Sequence, residues 1–92
     1  MIIEFDAAKN AKNILERELS FERAQAFDWS TANIDEDVRQ DYPERRFVAA
    51  GYLDGRLHML CFTPINGGIR VISFRKANPR EARKHDKSIS FD

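Results

Sequence analysis

The sequence predicts an α+β domain in the order β-α-α-β-β-β-α with a central antiparallel sheet, and three observations carry that reading. Asp54-Gly55 separates two apolar, strand-like runs, the strongest short-range signal for a β-hairpin. Ala7, Ala8, Ala11, Ile14, Leu15 and Leu19 recur at helical spacing behind Asp6, a good N-cap residue. Asn78-Pro79-Arg80-Glu81 has the cap, the first-turn proline and the returning carboxylate of a helix start. With 92 residues, 42% hydrophobic and 33% charged, the chain has enough for one core, so residues 1–92 read as a single domain.

The elements follow in order. Ile2 to Phe5 is a short strand that stops at Asp6, and the first helix runs from about 7 to about 18. Ser20 caps a second helix with Phe21, Ala24 and Phe27 on one side; it ends near Asp28 or Trp29, because Ser30 and β-branched Thr31 follow. The two helices form a hairpin that covers one face of the sheet, and Trp29 at its end anchors the hairpin or meets a partner. Thr31 to Ile34 is a weak strand, and the polar, Pro43-containing stretch from Asp35 to Arg45 is a loop. Arg46–Leu53, Arg56–Ile65 and Ile69–Ala77 then form a three-stranded meander, its second turn supplied by Asn66-Gly67-Gly68. The last helix extends to about Lys87. Its only aliphatic residue is Ala82, with Ile89 a turn beyond, so burial alone does not hold it.

Composition excludes several function classes. Cys61, the only cysteine, forms no internal disulfide and reads as a small core hydrophobe within Met59-Leu60-Cys61-Phe62. Two histidines and one cysteine make no zinc spacing, and there is no P-loop or GxGxxG, so no metal and no cofactor are expected. Asp35-Glu36-Asp37 lacks a second ligand cluster and reads as a solvated loop. Met1 to Asp6 lacks the start of a secretion signal and no segment approaches a membrane span, which leads to the expectation of a cytoplasmic protein with no membrane partner.

Fifteen basic and fifteen acidic side chains cancel overall, but residues 1–44 hold five basic and eleven acidic, and residues 45–92 ten basic and four acidic. The second half is a polyanion-binding candidate. Arg70, Arg75, Lys76, Arg80, Arg83, Lys84 and Lys87 face only Glu81 and Asp86 between Ile69 and Lys87. Strict alternation puts Arg70, Ile72, Phe74 and Lys76 on one strand face and Ile69, Val71, Ser73 and Arg75 on the other, so Arg70 and Arg75 are either alternatives for the deeper position or partners across an edge. The bland reading is a solvated surface whose arginines pair with the acidic half.

Metal-free RNA cleavage needs a base for the 2′-hydroxyl, an acid for the leaving 5′-oxygen and cations around the phosphorane. His85, three residues after Ala82 and hence near the sheet-facing side of its helix, suits proton transfer. Glu44 is a base candidate or the partner that orients Arg46 on a phosphate, and Lys76, Arg80, Arg83 and Lys84 would hold the backbone. His58 reads as an ordinary strand residue. Tyr42, Tyr52 and Phe74 are stacking candidates, with core packing the default for Phe74.

Several strings in order, spanning nearly the whole chain, carry a resemblance: Phe5-Asp6 with Lys9, Leu19-Ser20-Phe21-Glu22, Glu44-Arg45-Arg46-Phe47, Gly55-Arg56-Leu57, and Arg70 to Ala77 followed by Arg80-Glu81. The sequence resembles the BrnT family of bacterial toxins, which have a RelE-like ribonuclease fold. The resemblance implies a toxin that cleaves RNA and halts translation, neutralised by a BrnA-like antitoxin with a ribbon-helix-helix fold. It also implies a complex that represses its own operon, so operator DNA is met only through the antitoxin. Carried over by position, the family's arginine-bearing strand falls on Arg70 and Arg75 with Lys76, the residues before the meander on Glu44 and Arg46, and the arginine after the turn on Arg56. The chain departs from the family at Glu16-Arg17-Glu18, where Lys-His-Gly is usual, and at His85, where an aromatic often stands. The expectation is a ribonuclease with Arg46, Arg70, Arg75, His85 and Glu44 catalytic, and Arg56, Lys76, Arg80, Arg83 and Lys84 binding RNA. The alternatives are a nucleic-acid-binding module without chemistry and an interaction partner of a DNA-binding protein.

Overall fold

Asp54 and Gly55 both take positive φ, 51° and 74°, the mirror-image turn whose twist matches that of paired strands. In the computed structural model, which describes residues 1–91, that turn joins β3 (Phe47–Leu53) to β4 (Arg56–Ile65), paired antiparallel from Leu53 opposite Arg56 to Phe47 opposite Phe62. Gly67, at φ 79°, turns the chain back into β5 (Gly68–Lys76) along β4. The meander is thus as expected. Two short strands extend it: β1 (Ile2–Glu4) runs parallel to Gly68–Arg70 of β5, and β2 (Asn33–Glu36) runs antiparallel to β3. The sheet is therefore mixed, in the order β1-β5-β4-β3-β2. β2 takes Asp35 and Glu36 from the expected loop, because their main chain has an open β3 edge to pair with although their side chains stay exposed.

The ladder between β4 and β5 slips by one residue. Cys61 pairs with Ser73 but Phe62 pairs with Val71, leaving Ile72 as a bulge. The extra residue resets the alternation, so that Ile69, Val71 and Phe74 all enter one core. Arg70 and Arg75 accordingly lie on the same, opposite face, which corrects the strict two-residue reading.

On the core face, Leu19, Phe21, Ala24 and Phe27 pack on Ala49, Leu53, Leu60, Phe62, Ile69, Val71 and Phe74. Phe21, Ala24 and Phe27 are three apart, the period of a 3-10 helix, and the chain forms such a helix over Phe21–Ala26 instead of the expected longer α-helix. Trp29 meets the rings of Phe27 and Phe62 edge-on at 4.9 and 5.3 Å, as an anchor should.

The first helix, α1 (Ala7–Arg17), has the Asp6 cap, whose side chain accepts from Lys9 N, but it does not bury the predicted apolar stripe. Leu15 is 84% exposed. Two amides dock the helix: Asn10 Oδ1 accepts from Phe21 N at 2.7 Å, and Asn13 Nδ2 donates to Leu19 O and Phe74 O at 2.9 and 3.0 Å. The apolar spacing pointed to the wrong side, because the inward face carries hydrogen-bonding side chains. Glu18 ends α1 at φ 56°, a left-handed position suited to glycine.

On the other face, Ala50, Tyr52, Leu57, Met59 and Ala77 meet Ala82 of α2 (Pro79–Lys84). The capping box is present, with Asn78 Oδ1 accepting from Glu81 N at 2.8 Å and Glu81 Oε1 accepting from Asn78 N at 3.0 Å. The helix stops at Lys84 because, with Ala82 its sole buried residue, nothing apolar continues it. The following chain is tied back by main-chain bonds from Leu57 N to Ile89 O and from Phe91 N to Gly55 O, both 2.8 Å.

Two stability measurements test this packing. In urea titrations Leu60→Ala should cost roughly 2–5 kcal/mol and Leu15→Ala less than about 0.5 kcal/mol. Glu18→Gly should raise stability by about 1 kcal/mol by relieving the left-handed cap.

Candidate functional site

The residues between β2 and β3 owe their shape to Asp37, expected to be solvated but 8% exposed. Its carboxylate accepts from Arg39 Nε and Nη2, both at 2.8 Å, from Arg39 N at 3.2 Å and from Tyr42 Oη at 3.1 Å. The Arg39 bonds hold its carboxyl far below the usual carboxylate range. With Tyr42 fixed in this way, the Arg46 guanidinium lies 4.3 Å from the centre of its ring. Arg46 makes no ion pair among the described residues, and its Nε is buried without an acceptor. Its neighbour Arg45 turns to Glu36 instead, with bonds of 3.0 and 2.9 Å.

Arg75 rises from the same sheet face towards α2. Its Nη1 and Nη2 donate to the two Glu81 oxygens at 2.8 and 2.7 Å. The capping glutamate therefore does two jobs, starting α2 and fixing Arg75. The Arg75 bonds lower the Glu81 carboxyl to about 2 against the opposing effect of burial, and the pair raises Arg75.

Between this loop, the sheet and α2 lies a cleft of about 460 Å³, bordered by Tyr42, Arg46, Ser73, Arg75, Lys84 and His85. The His85 ring makes no hydrogen bond among the described residues; only its carbonyl is engaged, accepting from Asn33 Nδ2 at 3.1 Å. Cys61 is half-buried on the cleft wall, and burial pushes its thiol up, so it remains a poor nucleophile.

Of the ten candidates, the cleft gathers Arg46, Arg75, Lys84 and His85. Arg70 shares the face but sits five residues along β5, roughly 16 Å away at strand rise. It is held there by Glu44 at 3.0 Å and Glu4 at 3.8 Å. Glu44 thus partners Arg70 rather than Arg46. Arg80 and Arg83 are exposed on α2 and do not line this cleft. Arg56 and Lys76 belong to a second cleft, of about 540 Å³, shared with Arg17, Arg23 and His58. The sequence offers no local sign of that grouping, because its members come from α1, the 3-10 helix, β4 and β5. Of the stacking candidates, Phe74 is fully buried and Tyr52 is buried with its hydroxyl donating to Ser88 O at 2.8 Å, which leaves Tyr42.

Among the described residues no three His, Cys, Asp or Glu side chains come together as a metal site, and no helix is long and apolar enough to cross a membrane. No curated protein matches the chain. The sequence profile of the family described as ribonuclease toxin, BrnT, of type II toxin-antitoxin system matches residues 5–81, a span that holds Arg46, Arg75 and Glu81 and ends before Lys84 and His85. The chain belongs to this family of ribonuclease toxins, whose members work opposite a protein antitoxin.

Proposed function

We propose that this chain is an active, RelE-like endoribonuclease toxin that cleaves RNA without a metal, arrests translation in the cytoplasm, and is neutralised by a BrnA-like ribbon-helix-helix antitoxin through which alone it meets operator DNA. The observation that carries this reading is the bulge at Ile72, which turns Arg75 into the cleft bordered by Arg46, Lys84 and His85. Arg46, Arg75 and Lys84 supply donors for a phosphate and His85 an imidazole for proton transfer, beside the carboxylates Asp35, Glu36, Asp37 and Glu81 of the same lining.

In the proposed reaction the 2′-oxygen attacks the adjacent phosphorus, the P–O5′ bond breaks, and a 2′,3′-cyclic phosphate and a 5′-hydroxyl result. His85 takes the proton from the attacking 2′-hydroxyl and, as imidazolium, gives it to the leaving 5′-oxygen, so that the two transfers balance on one ring. Arg46, braced on Tyr42 and lacking a carboxylate partner, binds the phosphate. Arg75 supplies a fixed fork of donors where charge grows on the phosphorane, with Glu81 as its positioning residue. Lys84 adds a point charge, and Arg80 and Arg83 on the same helix attract the polyanion. Arg70 and Glu44 have a different part: their ion pair, extended by Glu4, joins the loop to β5 and β1.

One observation favours the module without chemistry: the Arg75 charge is already matched by Glu81. Incubating the purified protein with RNA in EDTA separates the two readings. Cleavage is expected, with the rate falling about 10²–10³-fold in Arg46→Ala and in Arg75→Ala, and with growth arrest lost when either variant is induced. RNA that stays intact while binding in a salt-sensitive way would leave a binding module.

The Arg75–Glu81 pair also sets an acid limit. A carboxyl lowered from 4.5 to about 2 stabilises the fold above its unfolded value, and that contribution is lost as pH falls from about 4.5 towards 2. Urea midpoints should therefore show wild type and Glu81→Gln converging over this interval; a constant difference would argue against the pair as a stabilising contact.

A further inference from the structure

The second cleft is the more cationic of the two. Arg17, Arg23, Arg56, Arg75 and Lys76 border its roughly 540 Å³ against the carboxylates of Glu18 and Asp54, and Asp54 is already taken by Arg23 at 2.7 Å. Among the described residues Arg17 and Lys76 form no ion pair. The Arg56 guanidinium is held by main-chain carbonyls, Leu57 O at 2.6 Å and Ala77 O at 3.0 Å, which fix its direction and leave its charge uncompensated.

His58 lines this cleft although it is only 4% exposed. Its Nδ1 lies 2.7 Å from Arg56 O. A carbonyl only accepts, so the bond puts the proton on Nδ1 and leaves Nε2 with a lone pair. Burial first, then the nearby Arg56 and Lys76 charges, push the imidazole below its usual value against the opposing bond to Arg56 O. Nε2 has no donor among the described residues. The cleft thus combines cations with one unpaired acceptor at its wall.

We propose that this cleft is a second ribonucleotide subsite, in which Arg17, Arg56 and Lys76 hold a backbone phosphate of single-stranded RNA and His58 Nε2 accepts a hydrogen bond from a ribose 2′-hydroxyl. Carboxylate side chains would answer the cations but not the lone pair. A ribonucleotide brings both kinds of partner in one unit, and a deoxyribonucleotide lacks the donor. The volume suits a ligand of nucleotide size. Arg75 borders both clefts, so one strand meets both sites by passing the end of β5 at Arg75 and Lys76, beyond Phe74 O where Asn13 of α1 is docked. The choice of RNA as ligand rests on the proposed ribonuclease activity.

The test is equilibrium binding, in EDTA, of a fluorescein-labelled mixed-sequence RNA of roughly 12 nucleotides and of DNA of the same sequence. Arg17→Ala/Lys76→Ala should weaken RNA binding about ten-fold and flatten its salt dependence by roughly one to two counterions. His58→Phe should shrink the preference for RNA over DNA while leaving DNA binding as in wild type, and His58→Gln, which restores an acceptor, should recover it. Unchanged RNA affinity in the double variant, or an unchanged RNA-to-DNA ratio in His58→Phe, overturns the subsite. The double variant changes only cleft-rim charges, so its result stands even if a His58 replacement fails to fold. Cleavage assays on the same samples keep the two proposals apart. RNA cut by wild type but bound equally by all variants removes the subsite alone, whereas uncut RNA bound more weakly by the variants removes the catalytic reading alone.

Discussion

A single unpaired residue in β5 sets the chemistry of both faces. Without Ile72 in its bulge, the pleat that buries Val71 would bury Ser73 and turn Phe74 outward, with Arg75 sent into the aromatic core. The bulge reconciles two demands on one strand: three apolar side chains for the 3-10 helix, and two arginines on the opposite surface. The placement of α2 follows, because Glu81 reaches Arg75 only from that surface.

The acidic and basic halves of the chain use their opposite charges unevenly. Glu44 and Glu4 converge on Arg70, and Glu36 matches Arg45, so some of the basic excess is absorbed in fastening early segments to the sheet. Arg46, Arg17, Lys76 and Lys84 escape such pairing among the described residues, and they border the two clefts proposed to meet RNA. Partly exposed pairs add little to stability, so their main effect is to decide which cations remain available. Asp37 acts differently: shielded and saturated with donors, it shapes the segment that presents Arg46.

Much of the fold was legible because its signals are local. Asp54-Gly55 encodes its turn through backbone preference, and Asn78 to Glu81 encodes a cap through side chains three apart. The bulge was not legible, since a run such as Ile69 to Lys76 is compatible with either alternation until its partner strand is known. The docking face of α1 was misread for a related reason: Ala11, Ile14 and Leu15 have helical spacing, yet Asn10 and Asn13 find main-chain partners that only the assembled sheet provides. For the site, charge density marked Arg75, Lys76 and Lys84 together, helical spacing added His85 and the resemblance added Arg46 and Arg56, but none of these signals could divide them between two clefts. That separation depends on which side of a two-faced sheet each side chain leaves.

The amide docking of α1 has one more effect. A helix with no buried side chain, fastened by a few hydrogen bonds, can detach at small free-energy cost while the rest of the molecule stays folded. Its departure would uncover the main-chain edge of β5 beyond Arg70, where an incoming extended segment could add as a sixth strand. Asn13, by occupying Phe74 O, covers that edge and marks where the sheet would grow if the helix swung away.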